Sequence, residues 1–253
     1  MQLGLVTYNW GKDWDLPTLI KNCEQTGFLG VELRSTHKHG VEPTLSTAER
    51  ADVAKRFGDS MVDLVGLGSA CEYHSPDPAV VKKNIEETKA FINLCHDCGG
   101  TGVKVRPNGL PEGVPVEKTL AQIGKALREV ADYGSGFGVQ IRVEVHGKGT
   151  QELPHMRTMM QAADHPNARV CWNSNPTDLT GMGLEKNFKL VQDYLGETVH
   201  IHDLISDYPW AKLFALLKGV KYQGWTLVEE GGATTDSIRV MKYYRLLWER
   251  MTA

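Results

Sequence analysis

The chain has 253 residues, 41% of them hydrophobic and 23% charged, with a formal net charge of -3. These proportions are ordinary for a globular protein, and the near balance of charge leaves no basic footprint for nucleic acid. No apolar run has the length of a bilayer span, so no membrane partner is expected. Residues 1–7 lack the basic region and small-residue cleavage site of a signal peptide, and read as a first strand. The length suits one α/β barrel or two smaller domains.

The predicted elements alternate from the first residues onward. A strand over 2–8 is followed by a helix that Asp15 caps, with Leu16, Leu19, Ile20 and Cys23 at helical spacing and Gly27 as its stop. A second strand runs over 28–33. Ser46 and Glu49 form a capping box for a helix reaching about Phe57. The third strand covers 61–67, and Val81, Ile85, Thr88, Ile92 and Cys95 mark one face of a long helix that Gly99-Gly100 ends. The fourth strand, 101–105, leads into a Gly/Pro-rich loop and a helix striped by Leu120, Ile123, Leu127 and Val130. Strands then follow over 139–145, 168–172, 198–202 and 225–228. Helices lie between them over 153–163, over 184–195 and around Trp210–Leu217, and a terminal helix carries Ile238, Met241, Leu246 and Trp248.

Five cysteines make an odd number with no disulfide framework. Cys95-His96-Asp97-Cys98 is a C-x-x-C that closes a helix instead of opening one after a strand. It has no second pair at zinc spacing, so it reads as buried thiols and the expected location is cytoplasmic.

Eight strand–helix units without a linker predict a parallel sheet. At this length that means a single-domain (β/α)8 barrel, a TIM barrel, over residues 1–253. An open doubly wound sheet would carry a glycine-rich turn after strand one; here that position reads Tyr8-Asn9-Trp10-Gly11-Lys12.

In a barrel, catalytic groups sit at the carboxyl ends of the strands. Strands five to eight end in Glu144 with His146, Asn173, His200-Ile201-His202-Asp203, and Glu229-Glu230. Glu144, Asn173, His200 and Glu229 are 29, 27 and 29 residues apart, close to one β/α unit each. Two carboxylates, an imidazole and an amide oxygen make a mononuclear site for Mn²⁺, Co²⁺ or Mg²⁺, with Zn²⁺ also acceptable to the imidazole. Taken singly, each residue also reads as an ordinary buried polar group. Glu144 would then pair with Arg142 or Arg106, Glu229 with Lys104, and Asn173 would cap a loop.

The chain resembles the xylose isomerase-like TIM-barrel superfamily of sugar phosphate isomerases and epimerases over nearly its whole length. The resemblance rests on Gly30-Val31-Glu32-Leu33-Arg34, Val143-Glu144-Val145-His146-Gly147, His165-Pro166-Asn167, Val199-His200-Ile201-His202-Asp203, and Gly224-Trp225 through Glu229. In that family Glu, Asp, His and Glu on strands five to eight bind one divalent metal. The resemblance therefore implies ligand roles for Glu144, His200 and Glu229, with Asn173 standing where the family has Asp. Pro176 replaces a His that often follows in epimerases, and Thr150 lies near the place of a further catalytic Glu. The chain thus departs from a standard ketose 3-epimerase.

The resulting expectation is a metal-dependent isomerase or epimerase acting on a sugar or sugar derivative. It would abstract a proton next to a carbonyl and pass through a metal-stabilised enediolate, with Glu144 and Glu229 as acid and base. His146, His202, Glu230, Lys104, Arg106 and Glu32 are expected to bind substrate, and Tyr8 and Trp10 to offer an apolar face to the ring. Glu72-Tyr73-His74 would join Glu32 at the mouth. Three alternatives use the same fold. A dehydratase or lyase would eliminate a group from a keto-sugar. A sugar-binding barrel would have lost its metal. An endonuclease IV-like phosphodiesterase would recruit His37, His39, His74 and His146. A homo-oligomer is a further expectation that the resemblance carries.

Overall fold

The computed structural model describes residues 1–253. Eight parallel strands close into one barrel in sequence order. They are β1 (Gln2–Val6), β2 (Gly30–Arg34), β3 (Asp63–Glu72), β4 (Gly102–Arg106), β5 (Gln140–Glu144), β6 (Ala168–Trp172), β7 (Leu195–Ile201) and β8 (Trp225–Val228). The helices are α1 (Leu16–Thr26), α2 (Thr47–Gly58), α3 (Pro78–Asp97), α4 (Val116–Ser135), α5 (Leu153–Ala163), α6 (Leu184–Val191), α7 (Trp210–Gly219) and α8 (Ser237–Thr252). One helix follows each strand, as the alternating pattern predicts. Both predicted N-caps form: Asp15 accepts from the Thr18 N–H, and Ser46 and Glu49 close a full capping box.

Two boundaries differ. The third strand continues to Glu72, because its far end pairs with Arg106 across an irregularity in the ladder. The helix expected over 184–195 stops at Val191 and tightens into a short 3-10 turn before β7 begins at Leu195. The C-x-x-C thiols are free and buried, as are the other three cysteines. Burial pushes Cys95 up to about 12 and Cys98 up to about 11, so neither is a ready thiolate.

The barrel interior is filled unevenly. Alternate residues of a strand share one face, so Gly30, Glu32 and Arg34 point the same way, as do Gly102, Lys104 and Arg106, and Gln140, Arg142 and Glu144. In the lower interior, small residues on β1–β4 oppose large ones on β5 and β8. A side chain at Gly102 would strike the Arg142 guanidinium at 2.2 Å, and one at Gly30 would strike the Trp225 ring at 2.5 Å. The fully buried Arg142 therefore runs down the barrel. It donates to the Val65 carbonyl at 2.8 Å, the Thr101 hydroxyl at 2.9 Å and Glu197 Oε2 at 2.6 Å. It does not pair with Glu144, one of the partners considered from sequence. The i, i+2 spacing puts both residues inside, but one faces each end of the barrel.

Arg142→Met is expected to lower unfolding free energy by roughly 2–4 kcal/mol, since it strands buried acceptors. Glu197→Gln, whose carboxylate is half exposed, is expected to change it by less than about 1 kcal/mol. Urea midpoints of the two variants would check this. Equal effects would mean that the ion pair, and not the buried carbonyl contacts, accounts for the loss.

Candidate metal centre

The upper interior gathers charged groups at the carboxyl ends of the strands. Glu144 ends β5, His200 lies near the end of β7, and Glu229 follows β8 directly. One donor atom from each lies within 4.8 Å of the others. His200 Nδ1 is 3.6 Å from Glu144 Oε1 and 3.6 Å from Glu229 Oε2, too far for hydrogen bonds yet converging. His200 is fully buried, and neither ring nitrogen has a hydrogen-bond partner. Asn173, one residue beyond β6, is also buried, and its Oδ1 has no partner while its Nδ2 donates to Asn175 at 3.3 Å. Buried polar atoms are normally satisfied. Two carboxylates converging on an imidazole whose nitrogens have no partner are what a hard-to-borderline divalent cation requires, so Glu144, His200 and Glu229 fit the group the family implies.

A second set of residues surrounds the donors. Glu32, 1% exposed, places Oε2 3.5 Å from His200 Nε2, behind the ring. Lys104 donates to Glu144 Oε2 at 2.8 Å, with both side chains almost fully buried. Arg34 approaches Glu229 Oε1 at 3.8 Å and lies over the Tyr8 ring at 4.5 Å. Burial alone would raise Glu144. The Lys104 ammonium and His200 overcome it and hold the carboxyl well below the usual range. Burial works against the charged forms of Lys104 and His200 too, yet the surrounding groups, Glu144 and Glu32 among them, raise both. Glu229 is lowered, with burial and the Glu144 charge opposed by His200 and Lys104.

Several residues expected to touch substrate have other work. His202 brings Nδ1 within 2.8 Å of the Glu229 carbonyl and Nε2 within 2.7 Å of the Asn173 carbonyl. The ring thus stands between the main-chain carbonyls that follow β6 and β8, the strands on either side of β7, and turns neither nitrogen toward a hydroxyl. Trp10 is 6% exposed and packs edge-on against Tyr244 of α8, so its indole belongs to the core and not to the mouth. Glu230 turns back to accept the Gly232 N–H at 2.8 Å. Arg106 donates to Glu72 Oε1 at 3.1 Å, and Asn108 donates to the same oxygen. His146 Nδ1 lies 2.8 Å from Asn108 Oδ1, and burial lowers its pKa. Thr150 donates to the His146 carbonyl, holding the loop after β5. Lys104, the partner considered from sequence for Glu229, pairs with Glu144, and Glu229 has Arg34 beside it instead.

The histidines that a trinuclear centre would need are dispersed. His39 has Nε2 on the Arg34 carbonyl and accepts the Val41 N–H at Nδ1; burial lowers it to about 4. His37 sits beside the Thr7 hydroxyl, and His74 lies 3.7 Å from Glu72. A cavity of about 500 Å³ between Asp63, Thr101, Glu197 and Trp225 lies at the opposite end, where strands begin, away from these groups.

The chain belongs to the xylose isomerase-like TIM barrel family, whose model matches residues 20–244. It is 24% identical over 233 residues to an L-ribulose 3-epimerase from Methylomonas sp. (strain DH-1), covering 85% of this chain and 79% of that protein. Its fold is similar to that of a D-psicose 3-epimerase from Clostridium cellulolyticum H10. The TM-score is 0.83 at 16% identity, with 100% of this chain and 99% of that one covered. It is also similar to the IOLI protein, solved with a zinc atom, at a TM-score of 0.77 and 16% identity, covering 100% and 96%.

Sequence reasoning did not find Arg34, Asn108 or Asp178. Arg34 had a signal: it lies two residues past Glu32 on the same strand face. Asp178, in the 3-10 turn after β6, is fully buried, and its Oδ2 accepts from the Tyr208 hydroxyl at 2.9 Å while Oδ1 has no partner. Burial raises it to about 7 despite the Tyr208 bond. A carboxyl raised on folding stabilises the native state fully below its unfolded pKa, and that contribution disappears as pH rises through about 7. Asp178→Asn is therefore expected to gain melting temperature relative to the parent between pH 5 and pH 8. Parallel melting curves across that window would show that Asp178 does not titrate there.

Proposed function

We propose that this chain is a divalent-metal-dependent enzyme that isomerises or epimerises a sugar or sugar derivative, moving a proton on the carbon beside a carbonyl. One observation carries the reading. Two carboxylates, Glu144 and Glu229, face the same buried imidazole, whose nitrogens have no hydrogen-bond partner. The similarity to sugar 3-epimerases in fold and, more distantly, in sequence supports it.

A divalent cation bound by Glu144, Asn173, His200 and Glu229 would polarise a substrate carbonyl and offset enediolate charge. The protein's own groups do the rest. Glu229 is the less encumbered carboxylate: its side chain is 11% exposed at the mouth, and its arginine partner, Arg34, is 3.8 Å away. It is the proton acceptor. Glu144 works from the other side, with the Lys104 ammonium hydrogen-bonded to Oε2 as its neighbouring proton carrier. Glu32 stands behind His200, 3.5 Å from Nε2, on the side of the ring away from the two facing carboxylates. His202 holds the main chain under Asn173 and Glu229. The preferred ions remain Mn²⁺, Co²⁺ and Mg²⁺, since three of four donors are oxygens. The five free, buried cysteines suit the cytoplasmic location that belongs to this reading.

Elemental analysis of protein purified without chelator is expected to find a single divalent ion per chain, lost in Glu144→Ala. Glu229→Gln is expected to lower kcat on a ketose substrate by at least roughly a hundredfold. Asn173→Asp adds a carboxylate to the donor set and is expected to tighten metal binding about tenfold or more in calorimetric titration. Wild-type protein that takes up no metal on titration would leave a sugar-binding barrel as the better account. About three zinc ions per chain would favour phosphodiester chemistry.

A further inference from the structure

Lys104 is a lysine buried beside the candidate metal centre with one hydrogen-bond partner. It lies on β4, and its ammonium donates to Glu144 Oε2 at 2.8 Å. Its main chain is fixed: the Ser69 hydroxyl donates to the Lys104 carbonyl at 2.7 Å. In the sheet it stands beside Gly68 of β3 and Arg142 of β5. Gly68 brings no side chain, and Arg142 is committed to the far end. Lys104 is therefore left to Glu144.

The pair divides the two oxygens of Glu144. Oε2 is taken by the ammonium, and Oε1 is left toward His200 Nδ1 at 3.6 Å. Glu229 is divided the same way, but loosely. Its Oε2 faces His200, while Oε1 has Arg34 at 3.8 Å, beyond hydrogen-bond reach. The Arg34 side chain is 27% exposed and that of Lys104 is 2% exposed. Water thus screens the Arg34 charge far more than the Lys104 charge.

An ammonium in this position acts in two opposed ways. Whenever no ion is bound, it pairs a carboxylate that would otherwise be buried alone, and an unpaired buried charge is strongly destabilising. Toward a divalent cation it is a competitor. It withdraws one oxygen from the donor set and places a like charge next to the other, where the surroundings damp the repulsion little. Asn173, which brings an amide and no charge, works in the same direction.

We propose that Lys104 is an internal counter-ion for Glu144. It lets the barrel close on its buried carboxylates without metal, and by the same contact it keeps the centre's hold on a divalent ion weak and reversible. The proposal rests on the metal reading of the centre given above and specifies how that centre is tuned.

Metal affinity separates charge from positioning. Mn²⁺ is titrated calorimetrically into chelator-treated parent and variants. Lys104→Gln keeps a donor near Glu144 and removes the charge, and it is expected to bind Mn²⁺ about tenfold or more tightly than the parent. Lys104→Met is expected to shift in the same direction, and Lys104→Arg, which keeps the charge, to stay near the parent. Melting curves give a second readout. Without added metal Lys104→Gln is expected to melt below the parent, and saturating Mn²⁺ is expected to raise its melting temperature by more than it raises the parent's. A Lys104→Gln protein that folds only with Mn²⁺ present is the same result in its extreme form. Equal or weaker Mn²⁺ binding in both neutral variants, beside a parent that binds, would overturn the proposal and leave Lys104 as a residue that only positions Glu144; the metal reading would stand. Uptake by neither the parent nor the neutral variants would overturn both.

Discussion

Burying charge is what this barrel has to manage. Three carboxylates, from Glu32, Glu144 and Glu229, surround His200 at positions nearly or fully removed from water. Desolvating such groups costs several kcal/mol each unless they are paired. Lys104 and Arg34 supply two positive charges, and His200 is drawn toward its protonated form. A third cationic charge is thus built into the demands of the site, whether a proton on the imidazole or a metal ion between the carboxylates meets it. A carboxylate in place of Asn173 would raise that demand by one.

The surrounding fold keeps this cluster in register. Closing eight strands points every second residue inward, so Lys104, Glu144, His200 and Glu32 meet without any loop having to carry them. Glycines on β1–β4 leave room for Arg142, Trp225 and Leu227 below, and that packed layer separates the mouth from the far end of the barrel. Above the cluster, His202 ties Asn173 to Glu229 through their carbonyls, and Ser174 donates to the His200 carbonyl at 2.9 Å. The donors are held by main chain that is itself hydrogen-bonded, the kind of support that keeps a site within productive tolerance.

Much of this was legible in the residue order. The period-two and period-3.6 patterns marked eight strand–helix units, and three of the residues at unit spacing, Glu144, His200 and Glu229, bring donor atoms together. Side-chain direction near the strand ends was less legible. His202 looked like a substrate contact because it follows His200 by two residues, but β7 ends at Ile201 and the ring lies between two main-chain carbonyls. Trp10 looked like a sugar platform from its place after β1, yet α8 packs Tyr244 against it and closes that face. Arg106 and Glu230 were assigned by position alone; Arg106 pairs with Glu72 of β3, and Glu230 turns back onto the Gly232 N–H of its own loop.

The sequence by itself determined the alternation of elements, the parallel sheet that follows from it, and which strand ends carry metal-ligating residue types. These are local properties: periodicity, caps, and spacing along one chain. Only the tertiary structure decided which charges pair, because Lys104 with Glu144, Glu32 with His200, and Arg34 with Glu229 join residues 40 to 195 positions apart. It also decided that Arg142 serves the far end. Those outcomes depend on barrel closure, strand register and the space left by glycines, and none of these has a signature at any single position.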